Sequence, residues 1–309
     1  MLFDSVKQES VDLYKFKIRN ETDEGIVERV IQSQIKTLLL NKGFDHKAVN
    51  TIFFNKVIYF SAKQIHDKKN TDLLLSGGWY KYGPCYEKGR VGEGTRMFLD
   101  PLKPSKNITE EVESVFEEEF PIFMESMENQ DQFFHSYLDH VYTTRQEHDE
   151  IKEFYINKND LCFNAYNLAY GKNEVSTKQF RRNLINFEKS ILKRDYCDFA
   201  KLEESDFANS QRLISLIGEA LIKYVENKEE LQDEFLESNI KSVAFMFDRF
   251  IQMPFADKNY IATFVTSSEK FRQLKETEML NQYSKHTKFV DSKLDEAIEV
   301  LEPHKELLL

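Results

Sequence analysis

Apolar side chains recur at three- and four-residue steps along most of this chain, which is the spacing of one face of an α-helix. The first such stripe predicts a helix over 23–42, because Gly43 follows it and glycine readily adopts the left-handed conformation that ends helices. A broader stripe from Val49 to Ile65 predicts a buried helix that Asp45 caps. Over residues 11–19 apolar and polar positions alternate instead, and this period of two predicts a short strand.

A capping box marks the next helix, since Asn107 is followed three residues later by Glu110. Pro121 falls inside this stripe and predicts a kink or a restart, because proline lacks the amide hydrogen that a helix interior needs. Helical spacing continues beyond residue 130. A break and a new cap are predicted at 158–160, and Gly171 predicts the end of the helix that follows.

Long helices are predicted for the second half of the chain, where glycine and proline are rare. Ser176 supplies a cap for a helix that runs to about Arg194, and residues 195–205 are predicted to connect it to the next one. Pro254 is expected to end a helix that precedes it. The remaining stripes predict helices at 213–225, 231–251, 260–264, 271–280 and 289–301.

Composition supports a mainly α fold. The 309 residues include only ten glycines and six prolines, which all-β folds use in their many tight turns. The 26 phenylalanines and 14 tyrosines lie largely on the helical stripes and are predicted to fill cores. We therefore predict an N-terminal helical unit at 1–105, with a glycine-rich irregular loop at 76–105 and a short β element, followed by a long-helix bundle at 106–309 with a break near 195–205.

The charge balance excludes some classes of partner. The chain carries 42 basic and 53 acidic side chains, a net charge of −11 that opposes non-specific binding to nucleic acid or anionic lipid. No apolar run reaches the ~18 residues that span a bilayer, and residues 1–12 lack the profile of a signal peptide. Three cysteines without a C-x-x-C pair fit a reducing compartment. We therefore expect a cytoplasmic protein without a membrane partner.

Residues 77–106 depart from this acidic, helical pattern. They hold six of the ten glycines, the only tryptophan, six basic side chains and three acidic ones. Aromatic rings with a polar handle are favoured at interfaces, so the segment is predicted to bind a protein partner. The alternative is a structural Ω-type loop whose rings fold back onto the helices. The candidate partner-binding residues are Trp79, Tyr80, Tyr82, Lys88, Arg90 and Arg96.

The glycines at 89, 92 and 94 also suggest a phosphate loop, whose backbone amides would hold an anion. A P-loop requires Lys followed by Ser or Thr after its last glycine, whereas Gly94 is followed by Thr95 and Arg96. The order G-x-x-G-x-G also differs from the dinucleotide fingerprint. An enzyme that acts on a phosphate-bearing ligand held by residues 89–96 is therefore kept as an alternative.

Two short strings suggest a family. NKVIYFSAK occupies residues 55–63, and YKYGP follows at 80–84. Over about 55–84 this pattern resembles the Panacea domain, a mostly helical domain of antitoxins and phage-associated proteins. The resemblance implies protein binding and offers no catalytic residue to transfer. It also implies structural roles within the domain for Tyr59, Tyr82, Gly83 and Pro84.

Candidate chemistry elsewhere is weak. His135, His140 and His148 cluster in sequence, but the first two point about 140° apart on one helix, and H-E-x-x-H spacing is absent. Arg145 stands three residues before His148, which is too close for the Arg-x4–6-His signature of HEPN-class ribonucleases. There is no G-x-S-x-G motif either. We assign no catalytic residue, no metal and no cofactor.

A second cationic stretch spans residues 176–194. A basic amphipathic helix can enter a DNA groove, and the candidate nucleic-acid-binding residues are Arg181, Arg182, Lys189 and Lys193. The alternative is a surface helix whose charges pair with acidic neighbours.

Taken together, these patterns favour a non-enzymatic protein-interaction module of a toxin–antitoxin or phage-defence system that binds its partner through residues 77–96. A nucleic-acid-binding regulator that uses 176–194 and an enzyme with a phosphate-bearing ligand are the alternatives.

Overall fold

The computed structural model describes residues 21–44, 51–69, 75–86, 106–129, 134–145, 149–172, 175–192, 207–229, 234–250, 252–266 and 268–302. Within these ranges the chain forms α-helices and one two-stranded antiparallel sheet, which confirms the predicted mainly α fold with a short β element. The strand predicted for 11–19 lies outside the described residues. The elements are α1 Glu21–Asn41, α2 Thr51–Lys69, β1 Gly77–Tyr80, β2 Gly83–Tyr86, α3 Lys106–Glu128, α4 His135–Arg145, α5 Asp149–Tyr170, α6 Thr177–Leu192, α7 Ala208–Glu226, α8 Glu234–Phe250, α9 Met253–Thr263 and α10 Glu269–Leu301.

The chain divides into two compact units. Unit 1 comprises Met1–Gln130 and Thr263–Glu276, and unit 2 comprises Asp131–Ala262 and Thr277–Leu309. The boundary predicted after residue 105 precedes α3, whereas α3 packs against α1 and α2 and so belongs with the N-terminal unit. The predicted connection at 195–205 lies outside the described residues.

Aromatic rings from α2 and α3 form the core of unit 1. Phe53 contacts Phe123 with ring centroids 4.8 Å apart and Phe116 at 5.9 Å, and Phe116 stacks on Phe120 at 4.9 Å. Gly43 follows α1 with a φ of +83°, the left-handed conformation that its position after the apolar stripe predicts.

Helix α3 runs through Pro121 without a restart. Of the two outcomes predicted for this position, the restart does not occur and the kink stays a prediction. Pro121 itself is exposed, while Phe120 and Phe123 on either side of it are buried. Burying two phenylalanine side chains contributes about 2 kcal/mol each. That gain offsets the roughly 3 kcal/mol that a proline costs inside a helix.

Helix α5 lies at the centre of unit 2, where α4, α6, α7 and α8 pack against it. It passes unbroken through 158–160, so the break predicted there is wrong. Lys158 and Asn159 are buried rather than placed at a helix end, and the Asn159 amide donates a hydrogen bond to the His135 carbonyl at 2.9 Å. A tertiary partner therefore satisfies a polar side chain that in sequence resembles a helix cap.

The N-terminus of α6 agrees with the sequence. The Ser176 hydroxyl accepts a hydrogen bond from the Gln179 backbone N–H at 3.1 Å, which is the geometry of an N-cap. The helix ends at Leu192 in the described residues, close to the predicted end near Arg194.

Helices α9 and α10 are each longer than predicted. Pro254 lies in the first turn of α9, where a missing amide hydrogen costs little. Helix α10 is one helix of 33 residues where two were predicted, and the buried Tyr283 anchors the polar stretch between them. In α9 Asp257 and Lys258 are fully buried. The Asp257 carboxylate meets His286 Nδ1 at 2.5 Å, and Lys258 Nζ lies 4.6 Å from the Phe207 ring centroid.

Candidate functional site

The glycine-rich segment begins as a β-hairpin. Strands β1 and β2 pair in antiparallel register, with Tyr80 opposite Gly83, so Lys81 and Tyr82 form the turn. Among the described residues other than glycine, only Phe134 has a positive φ. Type I′ and type II′ turns require a positive φ at their first central residue, which here is Lys81, so this turn belongs to neither type. Gly83 supplies a φ of +79° directly after the turn. This is the position where a type I turn with a glycine bulge needs the left-handed conformation.

A buried lysine on α2 fixes β2, the second strand of this hairpin. Lys56 is only 2% exposed, and its ammonium donates hydrogen bonds to the Tyr82 carbonyl and to the Pro84 carbonyl, the latter at 2.8 Å. Alternate carbonyls on one strand point to the same side, so one side chain reaches both. We call this arrangement the Lys56 clamp. It satisfies a buried charge with two backbone dipoles and holds the turn against α2.

Strand β1 is fixed by a segment nearly two hundred residues later in the chain. Gly77 and Val265 exchange two backbone hydrogen bonds of 3.1 and 2.8 Å. Next to them, the Trp79 N–H donates to the Thr263 hydroxyl at 2.7 Å, and the Ser76 hydroxyl donates to the Thr266 hydroxyl at 2.8 Å. Both outer edges of the hairpin are therefore occupied within unit 1.

The end of β2 joins a buried polar cluster on α1. The Gln32 amide donates to Glu28 at 2.7 Å and to the Tyr86 hydroxyl at 3.2 Å. Burial, with the negative charge of Glu28 as a second cause, raises the pKa of the Tyr86 phenol well above its usual range. The phenol is therefore protonated at neutral pH and serves as a hydrogen-bonding anchor for the hairpin.

The structure separates the predicted partner-binding residues into three groups. Trp79 is 5% exposed and belongs to the core of unit 1. Tyr80 and Tyr82 are half-buried at the hairpin tip together with Lys81, whose ammonium lies 5.3 Å from the Tyr80 ring centroid. Lys88, Arg90 and Arg96, and with them the glycines of the suggested phosphate loop, lie outside the described residues. We call Tyr80, Lys81 and Tyr82 the hairpin tip.

The residues that carry the Panacea resemblance are near one another in unit 1. Helix α2 contains Tyr59, which is half-buried and meets the Phe60 ring edge-on at 6.0 Å. Gly83 and Pro84 are buried in β2, and the clamp binds the carbonyls of Tyr82 and Pro84. The two strings therefore contact each other, although the family itself remains a prediction.

Helix α6 presents its basic side chains to solvent along one face. Lys178, Arg182 and Lys189 are exposed at helical steps, and the opposite face is buried. Arg181 is also exposed, but its guanidinium pairs with Glu219 on α7 at 3.1 Å. The fourth candidate, Lys193, lies outside the described residues. We call Lys178, Arg182 and Lys189 the α6 basic face.

The histidine cluster is divided among different environments. His135 Nε2 lies 3.1 Å from the Asp160 carboxylate, and its ring stacks on Phe163 at 4.2 Å. Burial raises the pKa of the nearby Asp139 carboxyl above its usual range, while the charge of His135 opposes that shift. His140 is half-buried on α4, and His148 lies outside the described residues.

Sequence reasoning missed a cluster of aromatic side chains in unit 2 that includes two exposed rings. Tyr166 and Tyr170 stack with centroids 4.5 Å apart, and Phe245 on α8 lies 6.3 Å from Tyr166. Lys172 donates to the Tyr166 hydroxyl at 3.2 Å. Tyr170 and Phe245 are both exposed despite the predicted core role of aromatics. The signal in the sequence was the pair of tyrosines four residues apart at the end of a helix.

Comparisons with known proteins leave these features unassigned. No protein-family model, no curated protein and no solved structure matches the chain. Within the described ranges, every helix is too short or too polar to cross a lipid bilayer.

Proposed function

We propose that this protein is a protein-interaction module, acting in a toxin–antitoxin or phage-defence setting, and that it binds its partner through the hairpin tip. The observation that carries the proposal is the way in which the hairpin is held. The Lys56 clamp fixes β2, and residues 263–266 fix β1. Two aromatic rings and one cation are left half-exposed at the turn between them.

This arrangement supports binding for an energetic reason. Ordering a loop on binding lowers affinity, and a hairpin already held on both edges avoids most of that loss. Tyrosine and cationic side chains are also suited to interfaces, because they bury a large area while they donate hydrogen bonds. The matching surface would combine apolar area for the rings with a carboxylate for Lys81.

The same proposal places the protein in the cytoplasm. Cys85 is half-buried on β2 and Cys162 is buried in α5, and neither forms a disulfide bond. Such thiols stay reduced in a reducing compartment.

The combined variant Tyr80→Ser, Lys81→Glu and Tyr82→Ser tests the hairpin tip. The affinity of this protein for each protein that copurifies with it is measured by titration calorimetry. We expect the variant to bind at least tenfold more weakly, because truncating an interface tyrosine typically costs about 1–2 kcal/mol. Trp79 stays unchanged in this variant because replacing a buried ring would disturb the fold.

The matched control changes the same residue types on another surface. Tyr170→Ser with Lys172→Glu removes an exposed tyrosine and reverses an exposed lysine in unit 2, and we expect it to leave the affinity unchanged. Fluorescence of Trp79, the only tryptophan, checks that the hairpin of each variant is intact. Equal affinity of the folded tip variant and the wild type would exclude the tip as the binding surface.

The α6 basic face supports a second candidate function, the binding of a nucleic acid. Three exposed cations follow one face of a helix in a chain whose net charge is −11. Concentrated positive charge on an otherwise acidic protein restricts a polyanion to that face. Arg181 contributes less because Glu219 neutralises it.

Reversing Lys178, Arg182 and Lys189 to glutamate tests this second candidate. Fluorescence anisotropy with a labelled 20-base-pair duplex is measured at several salt concentrations. We expect the variant to lose at least tenfold in affinity. We also expect its salt dependence to be shallower, by roughly one unit of slope for each phosphate that the protein no longer neutralises. Lys285→Glu with Lys288→Glu, two exposed changes on α10, is the control. If both variants show the same salt dependence as the wild type, α6 is an ordinary surface helix and the second candidate function is wrong.

A further inference from the structure

Two side chains of unit 2 form a pair that none of the proposals above uses. The Asp257 carboxylate on α9 lies 2.5 Å from Nδ1 of His286 on α10. The Asp257 side chain is fully buried, whereas 17% of the His286 side chain is exposed. Both residues belong to unit 2, so the pair is independent of the hairpin and of the function proposed for it.

The carboxylate fixes the position of the proton on the imidazole. Imidazole is a stronger base than a carboxylate, so the proton of this hydrogen bond lies on Nδ1 and Asp257 accepts the bond. In the neutral ring Nε2 then carries the lone pair. Because the Nδ1 edge of the ring faces a buried carboxylate, the exposed part of the ring lies on the Nε2 side. His286 therefore presents a nucleophilic nitrogen to solvent.

The same carboxylate supports a reaction at Nε2. When Nε2 forms a bond to an electrophile, the ring acquires a positive charge, and a carboxylate at Nδ1 stabilises that charge. Histidine is one of the side chains that form covalent intermediates as nucleophiles. Asp257 acts through His286, so it is a positioning residue.

The charge near His286 favours one kind of electrophile. Lys285 and Lys288 are the charged residues within four positions of it on α10, and both are exposed. Positive charge concentrates an anion at this part of an otherwise acidic surface. Ammonium groups also donate charge-assisted hydrogen bonds to phosphoryl oxygens. An anionic phosphoryl donor is therefore favoured over a neutral acyl compound.

From this geometry we propose that His286 accepts a phosphoryl group at Nε2 from a phosphoramidate, a donor in which phosphorus is bound to nitrogen. The Nε2 lone pair forms a new N–P bond while the N–P bond of the donor breaks. The electron pair of the broken bond stays on the donor's protonated nitrogen, which leaves as a neutral amine. The Nδ1 proton stays on the ring, bonded to Asp257. One N–P bond replaces another, so the exchange needs no further co-reactant.

Incubation of the full-length protein with potassium phosphoramidate tests this proposal. Peptide mass spectrometry at neutral pH gives the rate of phosphorylation of each histidine in one sample, and phosphorus NMR identifies the ring nitrogen. We expect His286 to react at Nε2, roughly tenfold or more faster than His135. His135 is the matched control, because it is 21% exposed and contacts Asp160 through Nε2 at 3.1 Å instead of through Nδ1. An unmodified His286, or one that reacts no faster than His135, would overturn the proposal.

Asp257→Asn tests the positioning role of the carboxylate. The asparagine amide donates to Nδ1, so the ring proton moves to Nε2 and the lone pair there is lost. We expect phosphorylation of His286 to slow by roughly tenfold or more, and nitrogen NMR to place the ring proton on Nε2. Asp160→Asn, the same change beside His135, should leave the rate at His286 unaltered. A folded Asp257→Asn protein that reacts like the wild type would show that the carboxylate does not activate His286.

Reversing the two lysines tests the class of donor in a variant whose changes are both exposed. Lys285→Glu with Lys288→Glu should slow phosphorylation of His286 by roughly threefold or more at low salt, because the anionic donor is now repelled. The difference from the wild type should shrink at high salt, where charges are screened. An unchanged rate at low salt would show that positive charge does not favour the donor, and the anionic class would be wrong.

Discussion

Replacing Lys56 with methionine should destabilise unit 1 by about 3 kcal/mol, because two hydrogen bonds from a charged donor are removed and each is worth roughly 1.5 kcal/mol or more. Methionine keeps the length and apolar stem of the lysine, so the core loses little packing. The carbonyls of Tyr82 and Pro84 lose the donor that Lys56 supplies. Chemical denaturation, followed through Trp79 fluorescence and through helical circular dichroism, measures the change.

Removing the Lys56 charge also has an effect in the opposite direction. Removing a buried charge recovers its desolvation penalty, and replacing buried ion pairs with apolar side chains has stabilised some proteins by about 1–4 kcal/mol. The carbonyls of Tyr82 and Pro84, however, stay in place and keep their need for a donor. Lys63→Met, a half-buried lysine on the same helix paired with Asp67 at 2.8 Å, is the matched control and should change stability by less than about 1 kcal/mol. A Lys56→Met protein as stable as this control would show that the clamp contributes nothing.

Replacing Gly77 with alanine should destabilise unit 1 by about 3 kcal/mol or more, through steric overlap within the hairpin. A Cβ atom at this position would lie 2.2 Å from the Cys85 carbonyl oxygen and 2.9 Å from the Tyr86 Cα. Both atoms belong to the backbone of the paired strand, so the overlap is relieved only if β1 and β2 separate. Gly77 also carries the two hydrogen bonds to Val265, so that contact should weaken as well. Trp79 emission should shift toward that of an exposed ring.

Gly43→Ala separates this steric effect from the general effect of replacing a glycine. Gly43 has a φ of +83° and no atom within 4 Å of the added Cβ, so only the left-handed backbone opposes alanine there. That penalty is about 1 kcal/mol. If the two variants lose similar stability, the close approach of β1 to β2 is not what requires glycine at position 77.

Helix positions could be predicted where short-range signals agree. The apolar stripe before Gly43 and the serine cap at Ser176 each lie within one helix or next to it, and both predictions are confirmed. The restart predicted at Pro121 and the break predicted at 158–160 do not occur. Pro121 and residues 158–160 lie inside continuous helices, because buried aromatic contacts and the bond from Asn159 to His135 outweigh the local preference.

The hairpin shows why the candidate site was harder to predict. Its glycines, its charge and its aromatic residues were visible in the sequence, but their roles were not. Trp79 is a residue type that is common at interfaces, yet its side chain is buried. Lys56 would be expected at a surface, yet it lies in the core. Lys56 reaches the hairpin from α2, and Thr263 accepts a hydrogen bond from the Trp79 backbone N–H. Both contacts join the hairpin to segments that lie elsewhere in the chain, so no pattern within the hairpin predicts them.

The sequence by itself determined the mainly α class, most helix positions and the segment where the helical pattern is interrupted, because helix period, caps and glycine stops act over a few residues. The tertiary structure decided which polar side chains are buried, which edges of the hairpin are occupied and which carboxylate His286 contacts. Burial of a lysine such as Lys56 or Lys258 depends on carbonyls or rings that are distant in sequence and become neighbours only when the chain has folded.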